Sequence, residues 1–89
     1  MDINKCASAG TLESSDVYVE IEPFDGGVEV NVESVVKKQF GDKIEATVRQ
    51  VLKEKGVNGA LVHISDRGAL ECVIRARVET AILRGKEEK

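Results

Sequence analysis

The sequence predicts an α+β domain in which two helices cover one face of a β-sheet. Segments 16–22 and 27–33 alternate apolar and polar residues, as half-buried strands do. Segments 35–55 and 66–84 carry apolar residues at spacings of three and four, which is typical of amphipathic helices. These patterns together predict a two-layer sandwich.

The first strands are expected to form a meander. Small, semi-apolar residues at 6–12 favour a strand that pairs with 16–22, so that 13–16 becomes the tip of a hairpin. The turn-forming residues at 23–27 then predict a second antiparallel hairpin, between 16–22 and 27–33, with an apolar inner face and an acidic outer face. The residues predicted to face inward are Val17, Val19, Ile21, Val28, Val30 and Val32.

One helix is predicted from about 35 to 55, with Ser34 as its N-cap. It runs through Gly41, which costs about 1 kcal/mol relative to alanine in a helix interior. The alternative is a fresh start at Asp42, with a capping box completed by Glu45. Gly56 suits the position just past the helix end. The expected apolar stripe is Val36, Phe40, Ile44, Val48, Val51 and Leu52.

A short apolar run at 60–65 predicts a further strand, followed by a last helix that Ser65 or Asp66 caps and that ends near Arg84, with Gly85 as the stop. Its expected stripe is Leu70, Val73, Ile74, Val78, Ala81 and Ile82. The fold class is therefore α+β: an antiparallel β-meander plus a further strand, in the order β-β-β-α-β-α. Residues 1–85 are expected to form a single domain, and 86–89 a frayed tail.

Composition excludes several classes of function. A net charge of −3 and only 3% aromatic residues argue against binding to nucleic acid, which needs clustered cations or stacking platforms. No apolar run reaches the length of a membrane span, and no signal peptide is evident, so a cytoplasmic protein is expected. Cys6, Cys72 and His63 lack the spacing of a metal site.

The best candidate for a chemical site is the polar segment Gly10-Thr11-Leu12-Glu13-Ser14-Ser15-Asp16. Two serines between two carboxylates are typical of a β-turn, and a hydroxyl on such a turn can be reached by a large partner. Ser, Asp and Gly also form turns with no function. Spacing alone therefore leaves the role of the serines open, and it does not distinguish Ser14 from Ser15.

The segments AGTLESSDV, KQFGDKIEATVRQVL and DRGALECVIRARVETAIL resemble the acyl carrier protein (gamma chain) of citrate lyase, over Ile3 to about Arg84. The resemblance implies a non-catalytic carrier with no catalytic or metal-binding residues of its own. It also implies that Ser14 carries a covalently attached 2'-(5''-phosphoribosyl)-3'-dephospho-CoA arm, joined through a phosphodiester. Glu13 and Asp16 would then shape the turn.

The same resemblance implies the partners: the transferase (alpha) and lyase (beta) subunits of citrate lyase, and the prosthetic-group transferase that installs the arm. The arm would carry acetyl and citryl thioesters during cleavage of citrate to oxaloacetate and acetate. Whether the substrate is citrate or citramalate stays open.

Two other functions remain open from the residues alone. The chain could be a non-catalytic interaction module whose acidic sheet face binds a basic partner, or a hydrolase that uses Ser14 with His63. The hydrolase is least favoured, because no acid or oxyanion arrangement is evident beside that pair.

Overall fold

The computed structural model of the protein describes residues 3–35 and 37–86. Four strands and two helices follow one another in this part of the chain: β1 (Ala7–Gly10), β2 (Val17–Glu22), β3 (Val28–Ser34), α1 (Lys37–Glu54), β4 (Ala60–Asp66) and α2 (Glu71–Gly85). The predicted α+β class and the β-β-β-α-β-α order are confirmed. The predicted frayed tail lies, apart from Lys86, outside the described residues.

The strands form one mixed sheet in the order β1-β2-β4-β3. β1 and β2 pair antiparallel, with Gly10 opposite Tyr18, which confirms the predicted hairpin around 13–16. β4 pairs antiparallel with β2 and parallel with β3. β4 is thus a central strand with a hydrogen-bonded neighbour on each side.

The predicted hairpin between β2 and β3 is wrong, and so is the antiparallel meander. β4 lies between these strands, because α1 carries the chain back across the sheet from the end of β3 and delivers β4 parallel to it. The 23–27 loop crosses the start of β4, where Gly27 O accepts a hydrogen bond from Ala60 N at 3.0 Å. A Cβ atom on Gly59 would lie 2.5 Å from Phe24 O, so a glycine is needed there.

Both helices lie against the same sheet face and enclose an aliphatic core. The inward-facing residues of β2 are fully buried, as predicted, and in β3 Val30 is buried while Val28 and Val32 are partly buried. Glu20, Glu29 and Glu33 are exposed on the opposite face, as predicted. The helix residues that fill the core are Ile44, Val48, Val51, Leu52, Ile74, Val78, Ala81 and Ile82.

The apolar stripes were predicted to begin too early. Phe40 is 47% exposed and Leu70 is 71% exposed, because both lie at one end of the sandwich, beyond the part of the sheet that the helices cover. Val36, also assigned to the first stripe, lies outside the described residues. α1 does run through Gly41, which confirms the single long helix.

The predicted helix ends are only partly correct. α1 begins at Lys37, so Ser34 belongs to β3, where its hydroxyl donates a 2.8 Å hydrogen bond to the buried Asp66 carboxylate. Asp66 ends β4 and accepts a hydrogen bond from Ala69 N, and α2 starts only at Glu71 with Leu70 as N-cap. Gly56 has a φ of +70° just past α1, as predicted.

The last helix continues through Gly85, which was predicted to stop it, and Lys86 is its C-cap. In the described part of the chain, neither α1 nor α2 combines the length and apolar character needed to cross a membrane.

Candidate functional site at the serine turn

The two serines occupy the central positions of a β-turn between β1 and β2. Asp16 N donates a hydrogen bond to Glu13 O at 3.1 Å, which closes the turn over Ser14 and Ser15. Ser15 has a φ of +66°, as turns with a left-handed residue at the third position require. The turn therefore has a defined shape.

Asp16 fixes the turn through both carboxylate oxygens. Thr11 Oγ1 donates to Oδ2 at 2.7 Å and also accepts a 3.2 Å hydrogen bond from Glu13 N. Val17 N donates to Oδ1 at 2.7 Å. The Arg77 guanidinium on α2 contacts both oxygens, with Nε 3.2 Å from Oδ1 and Nη2 3.0 Å from Oδ2. A bidentate pair of this kind holds the turn to the helix layer.

These contacts stabilise the ionised form of the carboxyl group. The hydrogen bond from Thr11, then those from Val17 and Arg77, lower the pKa of Asp16 from 3.8 to about 2. Partial desolvation opposes this shift but does not reverse it. Asp16 is therefore a structural anion at neutral pH, already engaged by its three donors.

Backbone hydrogen bonds anchor the turn to the loop that follows β4. Ser15 N donates to Arg67 O at 2.8 Å, and Arg67 N donates to Asp16 O at 2.9 Å. On the other side, Gly10 has a φ of +93° and packs so tightly that a Cβ atom would overlap the Val17 backbone oxygen. The turn is thus held by β1, by the β4–α2 loop and by α2.

Ser14 lies at the tip of this anchored turn. It is exposed, and within the described part of the chain its hydroxyl makes no hydrogen bond. Ser15 is also exposed, but its backbone N–H is bonded to Arg67. The predicted site residue therefore presents an accessible hydroxyl on an anchored turn.

Exposed apolar side chains lie at the same end of the sandwich as the turn. Leu12 is within the loop itself, Val35 follows β3, Phe40 is in the first turns of α1, and Leu70 precedes α2. Phe40 and Leu70, with Ile44 and Ile74, line a groove of about 340 Å³. We call the exposed side chains of Leu12, Val35, Phe40 and Leu70 the apolar rim.

The structure does not bring His63 to the serine turn. His63 is exposed in the middle of β4, four residues before Arg67, which corresponds to about 13 Å along a strand. Within residues 3–35 and 37–86, no group of three or more His, Cys, Asp or Glu side chains could hold a metal ion. His63 is therefore too far from Ser14 to act as its general base, the role that the hydrolase alternative gives it.

Sequence reasoning assigned Asp16 to the turn but missed its partner on α2. Arg77 lies 61 residues away, and only the docking of α2 beside β1 and β2 brings the two together. The backbone of Arg67, in the loop after β4, is a second support of the serine turn. Nothing in the local spacing identifies either contact.

Comparison with known proteins identifies the family of this chain. Residues 4–85 match the acyl carrier family described as malonate decarboxylase delta subunit (MdcD). A citrate lyase acyl carrier protein of Haemophilus influenzae (strain PittEE) is 53% identical over 88 residues, covering 99% of this chain and 92% of that protein. One from Clostridium perfringens (strain 13 / Type A) is 51% identical, covering 98% of this chain and 87% of that protein.

Solved structures show the same fold. A chain of a Pseudomonas malonate decarboxylase hetero-tetramer in complex with malonate superposes with a TM-score of 0.81 at 22% identity, covering 94% of this chain and 87% of that chain. At that identity the likeness establishes the fold, whereas the sequence relatives establish the family. The chain therefore belongs to the citrate lyase acyl carrier protein family.

Proposed function

We propose that this chain is the acyl carrier subunit of citrate lyase and that Ser14 Oγ is the attachment point of its prosthetic group. The observation that carries the proposal is the exposed hydroxyl at the tip of a turn anchored on three sides, which makes no hydrogen bond to any residue that the structure describes. A transferase needs access to that oxygen, and the attached arm needs a fixed origin.

The residues present fit a phosphoribosyl-dephospho-coenzyme A arm joined by a phosphodiester. Ser14 would supply the ester oxygen and stands clear of the fold. The Arg67 backbone is hydrogen-bonded to the turn, and its side chain, exposed and without an ion-pair partner in the described part of the chain, supplies a cation at this end of the fold, as a phosphodiester favours. When bound, the group supplies a thiol on a long tether, which carries acetyl and citryl groups as thioesters.

The chain's own residues position the tether and take no part in bond breaking. Glu13 and Asp16 close the turn, Thr11 orients Asp16, and Arg77 locks the carboxylate to α2. Because the origin of the tether is fixed, transfer between the transferase (alpha) and lyase (beta) subunits becomes effectively intramolecular. A carrier of this kind is not an enzyme by itself.

Ser15 offers the same functional group one residue later. Its backbone N–H is committed to Arg67 O and its φ is left-handed, so Ser15 belongs to the anchored half of the turn. Ser14 precedes it at the position that the family resemblance assigns to attachment. These observations favour Ser14.

Intact-mass measurement after co-expression with the prosthetic-group transferase and the enzymes that make its substrate tests the assignment. We expect wild type and Ser15→Ala to gain the mass of the arm, and Ser14→Ala to stay unmodified. Ser15→Ala is the matched control, since it removes the neighbouring hydroxyl of the same turn. A modified Ser14→Ala chain, or an unmodified wild type, would overturn the proposal.

A further inference from the structure

The sheet face opposite the helices is uncovered and has an ordered distribution of charge. β2 places Glu20 and Glu22 on this face, and β3 places Glu29 and Glu33 there. Between these two rows, β4 presents only neutral or weakly basic side chains, which are Leu61, His63 and Ser65. We call this surface the open face.

The two acidic rows are separated by one neutral strand. Register pairs Glu22 with Leu61 and Leu61 with Glu29, so the rows lie two strand spacings apart, about 10 Å. Leu61 is half-buried between them, whereas Glu20, Glu29 and Glu33 are exposed. A partly apolar centre with charged flanks is the arrangement found at protein interfaces.

Among the side chains that the structure describes, the carboxylates of the open face have no cation partner within ion-pair distance. Elsewhere in the described residues, four helix carboxylates and Asp16 pair with lysines or arginines, as in Arg75–Glu54 at 2.6 Å and Lys55–Glu79 at 3.5 Å, whereas Glu13 and Asp42 do not. β2, β3 and β4 contain no Lys or Arg, and Arg67, just past β4, lines a hollow with Glu33 and Ser65 at one end of the face. Along the rest of the face, the exposed Glu20 and Glu29 are accessible to cations of a partner.

The negative charge of the open face restricts the kind of partner that can bind there. A second copy of this chain would bring glutamate rows against glutamate rows, which is repulsive, and nucleic acid or an anionic membrane would be repelled as well. An α-helix is about 10–12 Å wide with its side chains, which matches the separation of the rows. A helix with Lys or Arg along both flanks of an apolar stripe would place cations over each row and apolar side chains over Leu61.

We propose that the open face docks such a basic helix of a catalytic subunit, an inference that rests on the proposed carrier function. The serine turn lies at the end of the strands and the open face lies along their length. One partner can thus hold the carrier by the open face while the serine turn stays accessible.

Binding of the carrier to co-expressed citrate lyase alpha and beta subunits tests this docking surface. Glu20→Lys and Glu29→Lys, one in each acidic row, should each raise Kd about tenfold or more at low salt, because they set like charges opposite each other. Asp25→Lys, an equal charge change at an exposed residue of the 23–27 loop, should bind as wild type does. Wild-type binding should also weaken as salt concentration rises.

Glu20→Lys and Glu29→Lys variants that bind as tightly as Asp25→Lys would overturn the docking surface. Thermal unfolding of each variant checks that the exposed substitutions leave the fold intact. Intact mass separates the two proposals: a chain that acquires the arm on Ser14 but shows no charge-dependent binding refutes the open face alone. A wild type that never acquires the arm refutes the carrier function.

Discussion

Asp16 connects the serine turn to three parts of the molecule at once. It accepts hydrogen bonds from Thr11 before the turn, from Val17 at the start of β2 and from Arg77 on α2. Because each contact uses a carboxylate oxygen, the charge that Asp16 carries also determines how firmly Ser14 is held.

The stability of the chain should depend on pH through Asp16. The pKa of Asp16 is lowered from 3.8 to about 2 in the folded state. Its contribution to the free energy of unfolding is therefore present above pH 3.8 and is lost as the pH falls toward 2. Urea unfolding across this range should show a steeper loss of stability in wild type than in Asp16→Asn. Thr11→Val should fall between them, since it removes the largest contribution to the shift. Equal slopes in all three would contradict this assignment.

At the scale of single residues, the sequence predicts contacts between a side chain and nearby backbone groups. It does not predict contacts between residues far apart in the chain. Two serines flanked by Glu13 and Asp16 predict a turn, since Ser and Asp side chains bond to nearby backbone groups. The pairing of Asp16 with Arg77 depends on how α2 packs, and no spacing rule reports that. The sequence likewise does not predict that the Ser14 hydroxyl makes no hydrogen bond within the described residues, because this depends on the folded turn.

At the scale of elements, strand and helix periodicity predicted which segments form strands and helices. It did not predict which strands pair with each other. Two alternating strands joined by a short turn favour a hairpin. Here the most enclosed strand, β4, takes the place between them, because Ala60, Val62 and Ile64 are buried and both its edges need hydrogen bonds. Gly59 is the one local signal of that crossing, since the 23–27 loop passes directly over it.

The β1–β2 hairpin should be sensitive to Gly10 in particular. Gly10 and Gly27 both have a φ near +95°, at +93° and +96°, so alanine at either costs about 1–3 kcal/mol in backbone strain. Only at Gly10 would the new Cβ also overlap the Val17 backbone oxygen, whereas nothing lies within 4 Å at Gly27. Urea unfolding should therefore show a larger loss of stability for Gly10→Ala than for Gly27→Ala. Equal losses would show that the close packing at Gly10 is unimportant.

At the scale of the whole molecule, the sandwich separates two surfaces of different chemistry. The end that carries Ser14 is apolar around its rim, while the open face along the strands is acidic. The core between the sheet and the helices is aliphatic. Because the two surfaces are separate, Ser14 can remain accessible to different enzymes while the open face is bound by a partner.

The apolar rim should be recognised by the enzyme that installs the arm, because any enzyme acting on Ser14 must cover the surface around it. Leu70→Ser should lower kcat/KM for attachment by roughly fivefold or more, as the loss of about 1 kcal/mol of interface contact does. Leu83→Ser is the matched control, since Leu83 is 58% exposed on the same helix but lies near its far end, away from the turn. Because Leu70 is 71% exposed, both variants should unfold within about 0.5 kcal/mol of wild type. The attachment rate of each variant can be measured by following intact mass over time. An equal effect of both substitutions would show that the transferase does not bind the apolar rim. That result would leave the assignment of Ser14 as the modified residue unaffected.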